Sequence, residues 1–113
     1  MIRVVVLSCL LGLGGIGSAG AGESLRSTLR AVEECYGQQS RFIGSSVCSS
    51  QEEMISMVFM ACAEKEGRYL DFVRIETPRR SSSDAFKELR RANMASIRND
   101  TLSWQRYHKT CRP

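Results

Sequence analysis

Apolar positions recur along the chain at helical spacing, with no strand-like alternation longer than a few residues and no glycine-turn hairpin signal. In ESLRSTLRAVEECYG, Leu25, Leu29, Val32 and Tyr36 fall at i, i+4, i+7 and i+11, one face of a helix, and Gly37 stands where a C-terminal cap belongs. The stretch QQSRFIGSSV then reads as a connection whose Phe42, Ile43 and Val47 tuck against the core. A second helix is predicted from CSSQEEM onward, because Ser49 with Glu52, or Ser50 with Glu53, fits a capping box and both glutamates suit the positive end of the helix dipole. It runs to Pro78, which cannot sit in a helix interior. Between Met54 and Cys62 it is apolar nearly all round, the mark of a surrounded central helix, and Gly67 is its weak point. After PRRSSSD, with Ser82 or Ser83 as N-cap, a third helix carries Phe86, Leu89, Met94, Ile97, Trp104 and Tyr107, with a weak point at Asn99-Asp100-Thr101.

The N-terminus changes this picture. Arg3, an apolar run from Val4 to about Leu13 and small residues at Ala19-Gly20-Ala21 make residues 1–21 a signal peptide for removal, leaving residues 22–113 as one domain. The apolar run is shorter than the ~20 residues of a membrane-spanning helix, so the mature chain is expected to have no transmembrane segment. The alternatives are a lipoprotein signal with Cys9 as the lipidated residue and an uncleaved anchor. Ordinary cleavage removes Cys9 and leaves Cys35, Cys48, Cys62 and Cys111, an even set that in an exported chain implies two disulfides and allows three connectivities.

Helix length selects among the three. The central helix, about Ser50 to Ile75, and the third, about Asp84 to Cys111, are each about 39–41 Å long, and if Pro78 turns the chain back they lie antiparallel. Cys111 then arrives level with Cys48, while Cys62 sits about 18 Å further along, beyond the reach of a bridge. The expected pairs are therefore Cys35–Cys62 and Cys48–Cys111, with Trp104 and Tyr107 packed beneath the second. The fold class is all-α: a small three-helix bundle stapled by two disulfides.

Candidate chemistry is sparse. His108 is the only histidine, so a metal site or catalytic triad would have to be built around it, with no cysteine left free beside it. The pairs Glu33-Glu34, Glu52-Glu53 and Glu64/Glu66 have spacings that do not share a helix face, which makes them poor acid/base partners. No enzyme activity, metal or cofactor is expected. The methionines at 54, 57 and 60 read as core filling. Asn99-Asp100-Thr101 matches a glycosylation acceptor, relevant only in a eukaryotic secretory pathway.

Charge is more informative. Residues 22–66 hold four basic and seven acidic side chains, whereas residues 67–113 hold eleven basic and five acidic ones. On the third helix Lys87, Arg91 and Arg98 stand at i, i+4 and i+11, with Arg90 beside them, a candidate site for an anionic partner. The competing reading is a solvated face partly paired with the acidic first half. Export sets nucleic acid aside and leaves another protein or an anionic envelope component as partner.

Cys48, Cys62 and the closing W-x-x-Y-x-x-x-C of Trp104, Tyr107 and Cys111 resemble the small helical, disulfide-bonded bacterial envelope domain typified by the lysozyme inhibitor LprI, over residues 48–111. The chain has His108-Lys109 where that pattern has Arg-Asp. The resemblance implies an exported, non-catalytic, periplasmic or secreted protein, a protein-binding module of lysozyme-inhibitor type. The alternative is a binder of anionic envelope or membrane surface through the basic third helix.

Overall fold

A computed structural model describes residues 24–108, with side chains as far as Arg106. Those residues form helices and no strand: α1 (Leu25–Ser46), α2 (Gln51–Ala61), α3 (Ala63–Glu76) and α4 (Ser82–His108). The expected count of three thus becomes four among the described residues, because the central helix is interrupted at Cys62 (φ −104°, ψ 10°) and not at Gly67. Backbone bonds still cross the interruption, from Cys62 N–H to the Val58 oxygen at 3.1 Å and from Glu66 N–H to the Cys62 oxygen at 2.9 Å.

Helix α1 is longer than its sequence suggests. Gly37 does not cap it; the helix continues through the expected connection to Ser46. Val32, Tyr36, Ser40 and Ile43 extend one buried stripe past Gly37, which lies on the exposed side. Ser40 tolerates burial because its Oγ donates to the Tyr36 oxygen at 2.6 Å. Phe42 faces outward, 62% exposed, while Ile43 and Val47 pack on the core as expected. At the other end Ser24 and Ser27 cap reciprocally, and the Leu25 N–H donates to the Glu76 carboxylate at 3.0 Å, tying the start of α1 to the end of α3.

The later caps follow local chemistry. Ser50 caps α2, its Oγ accepting from the Glu53 N–H at 3.2 Å and donating to the Glu53 carboxylate at 2.9 Å. Ser81, not Ser82 or Ser83, caps α4: its Oγ accepts from the Asp84 N–H at 3.3 Å and its carbonyl from the Ala85 N–H at 3.0 Å. Helix α4 does not break at Asn99-Asp100-Thr101, since Thr101 is buried and its Oγ1 donates to the Ile97 oxygen at 2.9 Å inside the helix. That geometry leaves the glycosylation acceptor motif inside a regular helix, with its threonine shielded.

Two contacts set the layout. Gln105 Nε2 donates to the Ser49 oxygen at 3.2 Å and Gln51 Nε2 to the Arg98 oxygen at 3.1 Å, so the end of α4 lies beside the start of α2, antiparallel as expected. The Cys35–Cys62 disulfide, with Cα atoms 5.9 Å apart, joins the middle of α1 to the α2/α3 junction. The expected pair is present, although Cys35 reaches it from mid-helix. The other expected bridge, Cys48–Cys111, ends on a residue outside the described ones, as do the signal peptide and Cys9. Around the disulfide, Met54, Ile55, Val58, Phe59, Tyr69, Val73, Leu89 and Ile97 form the core. Helix α2 is not surrounded: Met54 is fully buried and Met57 packs against the core, but Met60 is 75% exposed. No helix among the described residues is long and apolar enough to cross a membrane.

Candidate functional site

One stripe of α3 carries the feature that the spacing of acidic pairs conceals. Cys62, Glu66, Tyr69 and Val73 stand at i, i+4, i+7 and i+11 and all are buried, which places a carboxylate in the apolar seam. Glu66 is 2% exposed. Such a group is stable only when paired and hydrogen-bonded, and two other helices supply partners. Arg90 of α4 grips it bidentately, Nε at 3.0 Å from Oε2 and Nη2 at 2.9 Å from Oε1. The Tyr36 hydroxyl of α1 donates to Oε2.

Aromatic rings enclose this knot. The Arg90 guanidinium lies 4.3 Å from the ring centroid of Phe59 and 4.2 Å from that of Phe86, a cation–π sandwich, and Phe59 meets Tyr36 edge-on at 5.5 Å. The disulfide adjoins it in sequence on both sides, Cys35 preceding Tyr36 and Cys62 lying one turn before Glu66. Burial pushes the Tyr36 phenol well above the usual tyrosine range, and its hydrogen bond to the Glu66 carboxylate adds to the effect. The hydrogen bonds to Glu66 hold the Arg90 guanidinium above the usual arginine range. No buried side-chain polar atom lacks a partner among the described residues. A phenol, a carboxylate and a guanidinium in contact are the parts of an acid/base site, but here they satisfy one another beneath aromatic rings.

The basic stripe of α4 is divided by the same packing. Arg90 turns inward to Glu66. Arg98 crosses to Glu52 of α2, Nη1 to Oε1 at 3.0 Å, and Arg91 pairs along its own helix with Glu88 at 2.5 Å. Lys87 is exposed. Two of the four cations thus pair with carboxylates from the acidic first half of the chain. Among the described residues no group of three His, Cys, Asp or Glu side chains is placed to hold a metal ion.

A second polar constellation lies on the outer side of α1. Glu34, Gly37, Gln38 and Arg41 line a furrow of about 470 Å³ with Asp100 and Trp104 of α4. The Arg41 guanidinium sits 5.1 Å from the Trp104 ring centroid, so Trp104 packs against α1. The two helices nearly touch beside it: a Cβ on Gly44 would lie 2.7 Å from the Thr101 carbonyl oxygen and 3.0 Å from Trp104 Cβ. Gly44 is what permits this approach. Sequence reading missed Tyr36, Glu66, Arg41 and Trp104 as polar partners; only Glu66 left a local signal, the charge in a buried stripe. Comparisons with protein-family models, with curated proteins and with solved structures find no match to this chain.

Proposed function

We infer that the chain is an exported, non-catalytic protein-binding module of the cell envelope, periplasmic or secreted, in keeping with its resemblance to a lysozyme inhibitor. The observation that carries this reading is the knot: its acid/base groups bond to one another, with Glu66 and Tyr36 each 2% exposed, so none of the three is held as a free acid or base. A disulfide across mid-helix suits an oxidising compartment. A second clasp, Cys48–Cys111, belongs to this reading; Cys48 is itself disulfide-bonded. The alternative, a binder of anionic surfaces through Lys87, Arg90, Arg91 and Arg98, is the weaker, because three of those four cations have carboxylate partners within the chain.

A pull-down from the native envelope fraction tests the function. The expected result is one co-purifying protein at near-stoichiometric yield, retained at high salt and by the Lys87→Ala/Arg91→Ala variant. Recovery of lipid or anionic polymer alone, lost as salt rises, contradicts it, because exposed charges are screened over about 8–10 Å at moderate ionic strength. Non-reducing peptide mapping tests the clasp, for which a Cys48–Cys111 linked peptide is expected and an alkylatable Cys111 is the contrary result.

A further inference from the structure

The furrow between α1 and α4 has what the knot lacks, polar groups with unused bonding capacity. Glu34, Gly37, Gln38 and Arg41 fall at i, i+3, i+4 and i+7, one stripe of α1, and Asp100 and Trp104 at i, i+4 face them from α4. Glu34, Gln38 and Asp100 make no hydrogen bond or ion pair through their side chains within the described chain. Elsewhere Glu52, Glu66, Asp71 and Glu88 each hold an arginine. Gly37 leaves the floor open, since a Cβ there would meet nothing within 4 Å. The furrow's volume falls in the ~300–1,000 Å³ range of small-ligand sites.

The donor set selects the ligand chemistry. Two carboxylates against one guanidinium repel phosphate and other anions. With no cluster placed for a metal ion among the described residues, an inorganic cation is not favoured either. What remains is an array of planar groups, two carboxylates and an amide, each offering two adjacent hydrogen-bonding positions in one plane. Beside them stands the Arg41–Trp104 stack, an apolar and cationic wall. Paired acceptors match vicinal hydroxyls, and a flat wall matches the C–H face of a pyranose ring. The geometry points to a binding site for a short, neutral saccharide along the α1–α4 furrow. The ligand could come from an envelope glycan or from a free oligosaccharide, which share this chemistry.

Trp104 is the only tryptophan in the chain and lines the furrow, so its fluorescence reports on the site directly. The full chain is titrated with an N-acetylglucosamine tetrasaccharide, with maltotetraose and with a tetralysine peptide. A saturable change in emission is expected with a saccharide; a response to the first alone assigns a cell-wall type of glycan, a response to both a general oligosaccharide site. Gly37→Phe fills the floor from an exposed helical position and should abolish the response with the circular dichroism spectrum retained. Glu34→Gln with Asp100→Asn, both exposed or half-exposed, should weaken it about tenfold. Arg91→Ala should leave it unchanged. Silence with both saccharides at millimolar concentration, a response only to tetralysine, or saccharide binding that survives both the Gly37→Phe and the double carboxylate variant overturns the proposal.

Discussion

Helix α1 has two polar sides with opposite fates. Its inner side places Tyr36 in a knot where phenol, carboxylate and guanidinium satisfy one another, while its outer side places Glu34 and Gln38 beside a furrow where they bond to nothing in the described chain. The same split runs through α4, where Arg90 is drawn under two aromatic rings and its neighbour Arg91 stays at the surface with Glu88. Residue type alone therefore says little about role in this protein. What separates a structural charge from an available one is whether a partner from another helix reaches it.

The largest effects should come from splitting the knot, and they should be unequal. Arg90→Ala leaves the Glu66 carboxylate buried without its cation and should cost about 3–5 kcal/mol. Glu66→Ala should cost less, about 3 kcal/mol or below, because Arg90 is 32% exposed and can rehydrate in part. Urea unfolding measures both, and equal losses would show that exposure of the surviving partner does not matter. Replacing Cys35 and Cys62 with serine should remove about 2–4 kcal/mol, given the 27-residue separation closed by the bridge. An unchanged midpoint there would mean that the knot holds the α2/α3 junction without the disulfide.

Tyr36→Phe tests the inner side of α1 through pH. A hydrogen bond to a charged group is lost, at about 1.5–3 kcal/mol. The folded chain holds the Tyr36 proton more tightly than the unfolded chain, whose phenol titrates near pH 10. The stabilisation is therefore complete below about pH 10 and falls as pH rises beyond it, where only the unfolded chain releases the proton. Tyr36→Phe should flatten this alkaline decline, measured as the unfolding free energy between pH 9 and 11 at constant ionic strength (about one unit either side of the ordinary tyrosine value). A decline of undiminished slope would assign it to other groups.

The smallest effects contrast two glycines of α1. Gly44→Ala drives a Cβ to 2.7 Å from the Thr101 carbonyl, a backbone atom that yields only if α1 and α4 separate, and should destabilise by about 1–3 kcal/mol. Gly37→Ala meets open space in a helix interior and should stabilise by about 0.5–1 kcal/mol. Thermal midpoints moving in the same direction would break the distinction between the closed and open ends of the α1–α4 contact.

These glycines also mark where sequence reading succeeds and where it stops. The Ser50 cap, the stop near Pro78, the antiparallel return of α4 and the Cys35–Cys62 pair rest on local chemistry or on helix length, and each is legible in the chain. The extent of α1 is not. Whether Gly37 ends a helix depends on Ser40 bonding back to Tyr36 and on Ile43 finding a place in the core six residues later. The same holds for Asn99-Asp100-Thr101, where burial of Thr101 overrides a weak local propensity. The stripe of Lys87, Arg90, Arg91 and Arg98 was visible as charge, but its division was not, because the partners Glu66 and Glu52 lie 24 and 46 residues away.

Arg90 is bound into the fold through Glu66. A double-mutant cycle on Arg90→Ala and Glu66→Ala, followed by urea unfolding, tests it most directly. A coupled knot predicts an interaction energy of about 2 kcal/mol, with the double variant far more stable than the sum of the single losses implies. Additivity within about 0.5 kcal/mol would contradict it and return Arg90 to the exposed basic face.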